Sequence, residues 1–390
     1  MSGDYKNMVT RPMKVLFFAN TEWYLFNFRL ALAKHLRKRG VEVVMISPPG
    51  PYGKKLEEEG FRWIPVPMAR RSLNPLREAW LLWKLIRIYQ TEKPDIVHHF
   101  TIKCVVYGGL AARLVGIKGI VGAVAGMGFV FASSSALAVM LRPMVRVLLQ
   151  IALGGRKCRL ILQNPDDLNA FVSASIADPA NVRLIPGSGV NTDRFSPTLK
   201  SSASEGSKKV LLAARLLWEK GIAEYIEAAQ QLKALGYSVD FLLAGEPDMG
   251  NPNSVQQEQV ETWKQAGIIK PVGHVVDMAE LLKSIDIMVL PSFYREGVPR
   301  SLIEAAAAGL PIVTTDAPGC RDIVENGVNG FLVPVRDSNA LAEALCKILE
   351  DPALASRMGE AGRSKALAEF DERLVFEKTV EVYRELVPKL

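Results

Sequence analysis

The chain repeats one pattern along almost all of its 390 residues: a short apolar run suited to a buried strand precedes a segment with helical periodicity. The alternation covers residues 13–188 and restarts after residue 190. Strands that alternate with helices are typical of a parallel, doubly wound sheet, because each helix returns the chain to the same end of the sheet. Since a single hydrophobic core rarely serves more than about 300 residues, we predict an α/β protein with two Rossmann-like domains.

The predicted elements follow from these runs. In the first half the strands cover residues 13–19, 41–47, 95–99, 119–124 and 160–163, and the helices cover residues 28–39, 54–59 and 105–115. In the second half the strands cover residues 210–214, 239–244, 285–290 and 311–315, and a helix covers residues 221–235. The segment 187–197, which a serine-rich stretch follows, is the predicted linker between the domains.

Charge divides the chain into a basic and an acidic half. Residues 1–190 carry 26 Lys and Arg against 12 Asp and Glu, whereas residues 191–390 carry 22 against 29. A basic half predicts an anionic partner. We favour a membrane surface over nucleic acid, because the basic residues are interleaved with Leu, Ile, Val and Trp. The first 12 residues do not resemble a secretory signal and no uncharged apolar run reaches 18 residues, so we expect no membrane-spanning helix.

Two carboxylates stand eight positions apart in the segment 291–304, which follows the predicted strand 285–290. Glu296 lies in the turn and Glu304 in the helix that the residues after Pro299 predict. The turn is therefore at the carboxyl end of a strand, where open α/β sheets bind ligands and where the next helix offers unpaired N–H groups to an anion. We expect Glu296 near the reacting end of a polar ligand and Glu304 further along it.

A second cluster supplies positive charge. Arg215 and Lys220 occupy the turn between the strand 210–214 and the helix 221–235. Two cations beside a helix amino terminus suit a diphosphate, and they can stabilise a departing phosphate without a metal. The alternative is a solvated turn. No Asp-x-Asp element is present to carry a divalent metal, and the absence of Gly-x-Gly-x-x-Gly after the first strand weakens a nicotinamide or flavin hypothesis.

With these motifs the chain resembles the retaining, nucleotide-sugar-dependent glycosyltransferases of family 4, which have the GT-B fold of two Rossmann-like domains facing a central cleft. The resemblance rests on the Glu-x7-Glu element from Glu296 to Glu304, the pair Arg215 and Lys220, and the segments 187–195 and 319–330. Within the family the chain is most similar to bacterial enzymes that extend sugars on undecaprenyl diphosphate, through the segments 71–75, 126–128 and 214–221.

The resemblance implies an organisation and an activity. Residues 13–188 are expected to form an acceptor-binding, membrane-associating domain, residues 189–370 a nucleotide-sugar-binding domain, and residues 371–390 a helix that crosses back to the first domain. The implied reaction moves a hexose or N-acetylhexosamine from a UDP-sugar to a polyprenyl-diphosphate-linked saccharide, with retention of the anomeric configuration. The enzyme would act in glycan, polysaccharide or glycoprotein assembly at the cytoplasmic face of the inner membrane.

The resemblance also implies roles for residues of the second half. Lys220 and Arg215 would neutralise the diphosphate, Glu304 would bind the ribose hydroxyls, and Glu296 the sugar hydroxyls. The departing phosphate would take the proton of the acceptor, so neither a protein nucleophile nor a divalent metal or other cofactor is expected. Further contacts to the nucleotide-sugar, including those to the base, are expected from Gly297, Val298, Arg300, Ser301, His274 and Val275.

Candidates in the first half are less specific. His98 and His99 close the strand 95–99, and because neighbouring strand residues point to opposite faces, we expect at most one to face the cleft, with His99 as the catalytic candidate. Both fit equally well as strand-end histidines bonded to backbone. Acceptor contacts are expected from Lys103, Arg29 and Asn27. Gly126 and Gly128 allow either close approach of the backbone to a ligand or a tight turn.

A membrane-binding surface is predicted in the first half. The segment 129–153 is apolar but contains Arg142, Pro143 and Arg146, and basic residues follow it at positions 156, 157 and 159. Such a helix can lie in the plane of an anionic membrane, and the segment 75–89 is similar. The alternative for each segment is an ordinary helix that faces the core.

Two other functions compete with glycosyl transfer. A UDP-sugar 2-epimerase of the same fold would use a similar nucleotide pocket, but it has no use for the basic apolar segment around Arg142 and Arg146. A non-catalytic nucleotide-sugar-binding protein would be expected to lack Glu296 or Lys220, and both residues are present.

Overall fold

The structure is a computed structural model that describes residues 11–69, 72, 74–126, 136–198, 206–248 and 250–388; for residues 136–138 it describes the backbone alone. Two parallel sheets form its framework, each covered by helices. The first sheet contains, in chain order, β1 (Lys14–Phe18), β2 (Glu42–Ser47), β3 (Arg62–Pro65), β4 (Ile96–Phe100), β5 (Gly119–Val124), β6 (Cys158–Leu162) and β7 (Val182–Leu184). The second contains β8 (Lys208–Ala213), β9 (Val239–Ala244), β10 (Lys270–Gly273), β11 (Ile287–Leu290), β12 (Ile312–Thr315) and β13 (Gly330–Val333).

The strand orders are β3-β2-β1-β4-β5-β6-β7 and β10-β9-β8-β11-β12-β13, and every pairing is parallel. In each sheet the order reverses beside the first strand, where β1 meets β4 and β8 meets β11. Such a switch point opens a crevice at the carboxyl ends of the strands. The prediction of two doubly wound α/β domains is confirmed.

The helices of the first half are α1 (Glu22–Tyr24), α2 (Leu30–Lys38), α3 (Tyr52–Glu58), α4 (Pro75–Glu92), α5 (Ile102–Val115), α6 (Ala136–Leu153) and α7 (Pro165–Ser173). Those of the second half are α8 (Ile222–Ala234), α9 (Gln257–Gln265), α10 (Met278–Leu282), α11 (Arg300–Ala307), α12 (Ser338–Glu350), α13 (Pro352–Lys365) and α14 (Glu372–Leu386). Within the described part of the chain, no helix combines the length and the apolar character that crossing a membrane requires.

The first helical segment begins earlier than the predicted 28–39. Thr21 accepts a hydrogen bond from the Tyr24 amide at 3.0 Å and so caps α1, and a π-helical turn, Leu25–Arg29, joins α1 to α2. Sequence periodicity missed this start because a π turn shifts the apolar residues out of the 3.6-residue repeat.

The last helix belongs to the core of the first sheet. Asp371 caps α14, and the apolar face of the helix packs beside Phe17 and Phe100 of the central strands. The buried residues of that face are Val375, Phe376, Val380, Val382 and Tyr383. The chain therefore returns from the second sheet to the first at its carboxyl end.

Candidate functional site

The turn after β8 packs closely against the carboxyl end of β11. Gly221 has φ of 76°, and a Cβ atom there would overlap the Pro291 carbonyl oxygen. The adjacent Glu219 carbonyl accepts hydrogen bonds from the Phe293 amide at 3.0 Å and from the Ser292 hydroxyl at 3.1 Å. Because only glycine allows this approach, the sequence of the turn places Lys220 directly beside the loop that carries Glu296.

Lys220 and Glu296 form an ion pair in this loop. Their side chains are 11% and 13% exposed, and Glu296 also accepts a hydrogen bond from the Ser292 hydroxyl at 3.1 Å. Two opposite charges that are this well shielded from water depend on each other, since removal of either leaves an uncompensated buried charge. The two motifs found in the sequence thus meet at the switch point of the second sheet.

Arg215 does not share this arrangement. Its guanidinium forms an ion pair with Asp248 at 2.9 Å, and its side chain is 61% exposed. The two cations therefore lie on one turn without acting on one common partner. An exposed pair of this kind contributes little to stability, so Arg215 can exchange Asp248 for an anionic ligand at low cost.

Glu304 lies in α11 and is buried. Burial raises the pKa of this carboxyl, and Arg300, whose Nε donates to it at 2.8 Å, acts in the opposite direction. The Arg300 guanidinium also donates to the Asn27 carbonyl oxygen and lies 5.1 Å from the centre of the Phe28 ring. Arg300 thus links Glu304, the residue predicted to bind the ribose, to the first half. Ser301 follows Arg300 in the first turn of α11.

The remaining residues predicted to bind the nucleotide-sugar lie on either side of this centre. His274 and Val275 follow β10. His274 is exposed, whereas Val275 packs against the hydrophobic core that contains Leu290 and Leu302. The Val298 amide donates to Gln163 Oε1 at 3.0 Å, so in this arrangement the protein itself occupies the amide of a residue that was predicted to contact the nucleotide-sugar.

His98 and His99 point to opposite faces of β4, as expected for neighbours on a strand. His98 Nδ1 lies 2.7 Å from the Tyr383 hydroxyl, in a small cavity that Arg29 and Gln163 also line. His99 Nε2 lies 3.0 Å from the Tyr89 hydroxyl of α4. Burial holds the pKa of His99 at about 3 and that of His98 well below its usual value, so both rings are neutral.

This placement puts His99 on the face of the sheet opposite His98, and the catalytic role expected of His99 stays a prediction. The ring packs on α5, where a Cβ atom on Gly108 would overlap it, and it lies beneath α4 and α5 on the far face of the sheet from His98. The sequence could not distinguish the two histidines, because alternation fixes only that they differ in direction.

The predicted acceptor contacts are engaged within the protein. Lys103 Nζ donates to Glu78 at 2.7 Å and to the carbonyl oxygens of Ala69 at 2.9 Å and Ser72 at 3.2 Å. Arg29 is buried with its guanidinium 4.4 Å from the Phe100 ring centre, and the Asn27 side chain donates to the Trp23 carbonyl at 2.9 Å. Lys103 therefore connects the segment before α4 to α5.

Of the two glycines, Gly126 approaches the site and Gly128 lies outside the described residues. Gly126 has φ of 75°, and a Cβ atom there would lie 2.6 Å from the Arg295 carbonyl oxygen. The tight turn after β5 thus allows the first half to touch the loop that carries Glu296. The close neighbour of Gly126 is protein backbone.

Sequence reasoning missed the residues of the first half that hold this loop, Gln163, Asn164 and Asp167. Asn164 Nδ2 donates to the carbonyl oxygens of Glu296 at 3.1 Å and Gly297 at 3.0 Å. Asp167 accepts a hydrogen bond from Arg295 Nε at 2.7 Å. The only signal was an Asn-Pro start of a helix, which predicts a cap and no contact with another domain.

Comparison with known proteins identifies the family. Residues 198–365 match the family model of group 1 glycosyl transferases, and residues 14–163 match that of the glycosyl transferase 4-like proteins. The chain belongs to the family 4 glycosyltransferases. This enzyme is 27% identical over 385 residues to the Campylobacter jejuni N,N'-diacetylbacillosaminyl-diphospho-undecaprenol alpha-1,3-N-acetylgalactosaminyltransferase, covering 96% of this chain and 99% of that protein.

A second relative and two solved structures agree with this assignment. The Escherichia coli UDP-Gal:alpha-D-GlcNAc-diphosphoundecaprenol alpha-1,3-galactosyltransferase is 26% identical over 342 residues, covering 85% of either chain. HepE of Anabaena in complex with UDP superposes with a TM-score of 0.77 at 21% identity, over 96% of this chain and 100% of that one. Sucrose-phosphate synthase of Thermosynechococcus elongatus gives 0.76 at 21% identity, over 97% and 100%. The glycosyltransferase therefore has the GT-B fold.

Proposed function

We propose that this glycosyltransferase moves a hexose or an N-acetylhexosamine from a UDP-sugar to a saccharide carried on polyprenyl diphosphate, with retention of the anomeric configuration. Two relatives aligned over most of the chain are named for transfer to diphosphoundecaprenol-linked sugars. The observation that carries the proposal is the shielded Lys220–Glu296 pair at the switch point of the second sheet. In the proposal, the cation of this pair meets the diphosphate and the carboxylate accepts hydrogen bonds from the sugar hydroxyls.

Charge governs the proposed chemistry. As the bond between the sugar and the diphosphate breaks, negative charge develops on the departing UDP, and a preorganised cation stabilises it. Lys220 is fixed by the turn at Gly221, and Arg215 is able to leave the exposed pair with Asp248. Glu296 then accepts hydrogen bonds from sugar hydroxyls while the departing phosphate takes the acceptor proton.

Transfer without a divalent metal is part of the proposal. Lys220 and Arg215 supply the positive charge that a metal would otherwise bring to the diphosphate. Within the described residues, no group of three or more His, Cys, Asp and Glu side chains is arranged to hold a metal ion. Activity in the presence of excess EDTA tests this point.

The second half alone holds the proposed UDP contacts, and the first half would hold the acceptor at a membrane. The outer face of α6 exposes apolar side chains next to the exposed Arg146, Arg156 and Lys157. The large exposed apolar residues of α6 are Val139, Met140, Met144, Val147 and Ile151, and those of α4 are Leu76, Trp80 and Trp83. Apolar and basic groups on one surface suit an anionic bilayer, here the cytoplasmic face of the inner membrane.

The decisive experiment offers a panel of UDP-sugars with a polyprenyl-diphosphate-linked saccharide and detects product by mass spectrometry in EDTA. Nuclear magnetic resonance of the product then gives the anomeric configuration. Extension of the lipid-linked saccharide supports the proposal. Epimerisation of the UDP-sugar without transfer, or binding without turnover for every donor, would contradict it.

A further inference from the structure

The loop that carries Glu296 is held by the opposite half of the molecule. Asn164 donates to its Glu296 and Gly297 carbonyls, and Gln163 accepts from the Val298 amide. Arg295 donates to the Asp167 carboxylate at 2.7 Å and to the Asp166 carbonyl oxygen at 2.6 Å. Residues 163–167, here called the bracket, thus bind four consecutive residues of the loop through both side chains and backbone.

The loop is tightly packed at two glycines, Gly297 within it and Gly319 beside it. A Cβ atom on Gly297 would overlap Gln163 Oε1 and lie 3.0 Å from the Ala125 Cβ. On the other side, a Cβ atom on Gly319 would overlap the Gly297 carbonyl oxygen. The loop is therefore enclosed by the ends of β5 and β6 from the first half and by the residues after β12 from the second.

Asn164 caps α7 and also bonds to the loop that carries Glu296. Its Oδ1 accepts a hydrogen bond from the Asp167 amide at 2.7 Å and so caps α7, while its Nδ2 reaches the loop. The side chains of Asn164 and Asp167 are 0% exposed. Hydrogen bonds shielded from water are costly to break, because a buried donor or acceptor is left unpaired. The position of α7 therefore determines the position of the loop.

We propose that Gln163, Asn164 and Asp167 are positioning residues that hold the Glu296 carboxylate against Lys220. They contact neither substrate, and they act through the backbone of the loop. This inference rests on the proposed function, in which Glu296 binds the sugar. It adds that the position of this carboxylate is set by residues of the first half. Among the described contacts, Arg215, Lys220 and Glu304 make no hydrogen bond to the bracket, whereas the loop that carries Glu296 does.

The test is the exchange Asn164→Ser, which keeps a hydroxyl oxygen to cap α7. It removes the Nδ2 donor, and with it the two hydrogen bonds to the loop and the one to Asp167 Oδ2. A misplacement of about 1 Å can lower turnover about 100-fold. We expect a fall in kcat of roughly 10- to 100-fold with the Kd for UDP, measured by calorimetry, changed less than about twofold. In a Glu296→Gln background the same exchange should lower kcat less than about threefold, because residues that act through one group are not additive.

A matched control is available in the second half. Asn329 is likewise buried, its Oδ1 accepts from the Glu325 amide at 2.6 Å, and its Nδ2 donates to the Ile323 carbonyl at 2.9 Å. Asn329→Ser removes hydrogen bonds of the same kind without touching the loop. It should lower the melting temperature about as much as Asn164→Ser while kcat changes less than about twofold.

Gln163→Ala provides a second variant if Asn164→Ser does not fold. It removes the acceptor of the Val298 amide, so we expect faster hydrogen exchange at Val298 and a fall in kcat of about tenfold. Equal losses of kcat in the wild-type and Glu296→Gln backgrounds, or a parallel loss of UDP binding, would overturn the positioning role. A wild-type enzyme that transfers no sugar would instead overturn the proposed function, and with it the bracket.

Discussion

Replacing Lys220 by alanine tests the charge logic of the site. In the structure the Glu296 carboxylate has two polar partners among the described side chains, the Lys220 ammonium and the Ser292 hydroxyl. Lys220→Ala leaves only the hydroxyl as a partner of a carboxylate that is 13% exposed in the wild type. The variant therefore removes the cation that would stabilise the departing UDP, and it leaves the Glu296 carboxylate without an oppositely charged partner.

These two effects have separate magnitudes. Loss of one partner of a buried ion pair costs about 3 to 5 kcal/mol of stability. Loss of a preorganised group that stabilises developing charge costs roughly 100- to 1000-fold in kcat, or about 3 to 4 kcal/mol of the activation free energy. Because Lys220 and Glu296 are 11% and 13% exposed, the values for buried groups apply rather than the smaller ones for surface pairs.

The assay follows kcat for transfer under conditions where circular dichroism shows that the variant is folded, and chemical denaturation gives the stability. The double variant Lys220→Ala with Glu296→Gln separates the two effects. It should recover stability relative to Lys220→Ala, because no anion remains stranded, and it should not recover turnover. Lys283→Ala serves as the control, since Lys283 pairs with Glu280 at 2.6 Å on an exposed helix surface and should matter little for either quantity.

Turnover of Lys220→Ala within about threefold of wild type would remove the residue from the mechanism. Because Glu296→Gln alone is expected to lower transfer, the turnover of the double variant is compared with that of Glu296→Gln. Equal turnover of the two would show that the missing cation adds nothing to the loss of the carboxylate.

Three further predictions concern the ligand ends, the membrane and the histidines. Glu304→Ala should weaken UDP binding in calorimetry, whereas Glu296→Gln should keep it and lose most of its transfer activity; the opposite pattern would contradict the assigned ends. Glutamine at four basic positions should release the enzyme from anionic liposomes in flotation and spare UDP binding; these are Arg142, Arg146, Arg156 and Lys157. Because burial lowers both pKa values, the rings of His98 and His99 should stay neutral from pH 8 to pH 5, and a proton-resonance titration in that range would refute this.

The strands that the sequence did not predict are the four sheet edges. β3, β7, β10 and β13 lie at the ends of the two strand orders, while the predicted strands all lie inside. A central strand is buried on both faces and appears as a continuous apolar run, such as Val15 to Phe18 in β1. The edge strand Arg62–Pro65 has exposed residues at both ends and half-buried residues between them, and it includes proline, which edges tolerate. Hydrophobic runs therefore reveal the centre of a sheet and miss its borders.

The site was predictable to the extent that local chain geometry determines it. The carboxyl ends of β8 and β11 are neighbours at a switch point, so Lys220 and Glu296 had to lie on the same edge. The direct ion pair between them depends on the turn at Gly221, which sequence alone does not define. Arg215 pairs with Asp248, and Asn164 bonds to the loop that carries Glu296. Each contact joins residues far apart in the chain, and no local sequence pattern encodes it.

The contacts between the halves lie at the elements that are predicted to bind the donor. Arg300 donates to both Glu304 and the Asn27 carbonyl, and Arg295, beside Glu296, donates to Asp167. Any separation of the two halves that admits a bulky acceptor must therefore break bonds at both ends of the proposed donor site. Because these bonds are made with the loop and with α11, such a separation would also loosen the contacts that the proposal assigns to the donor.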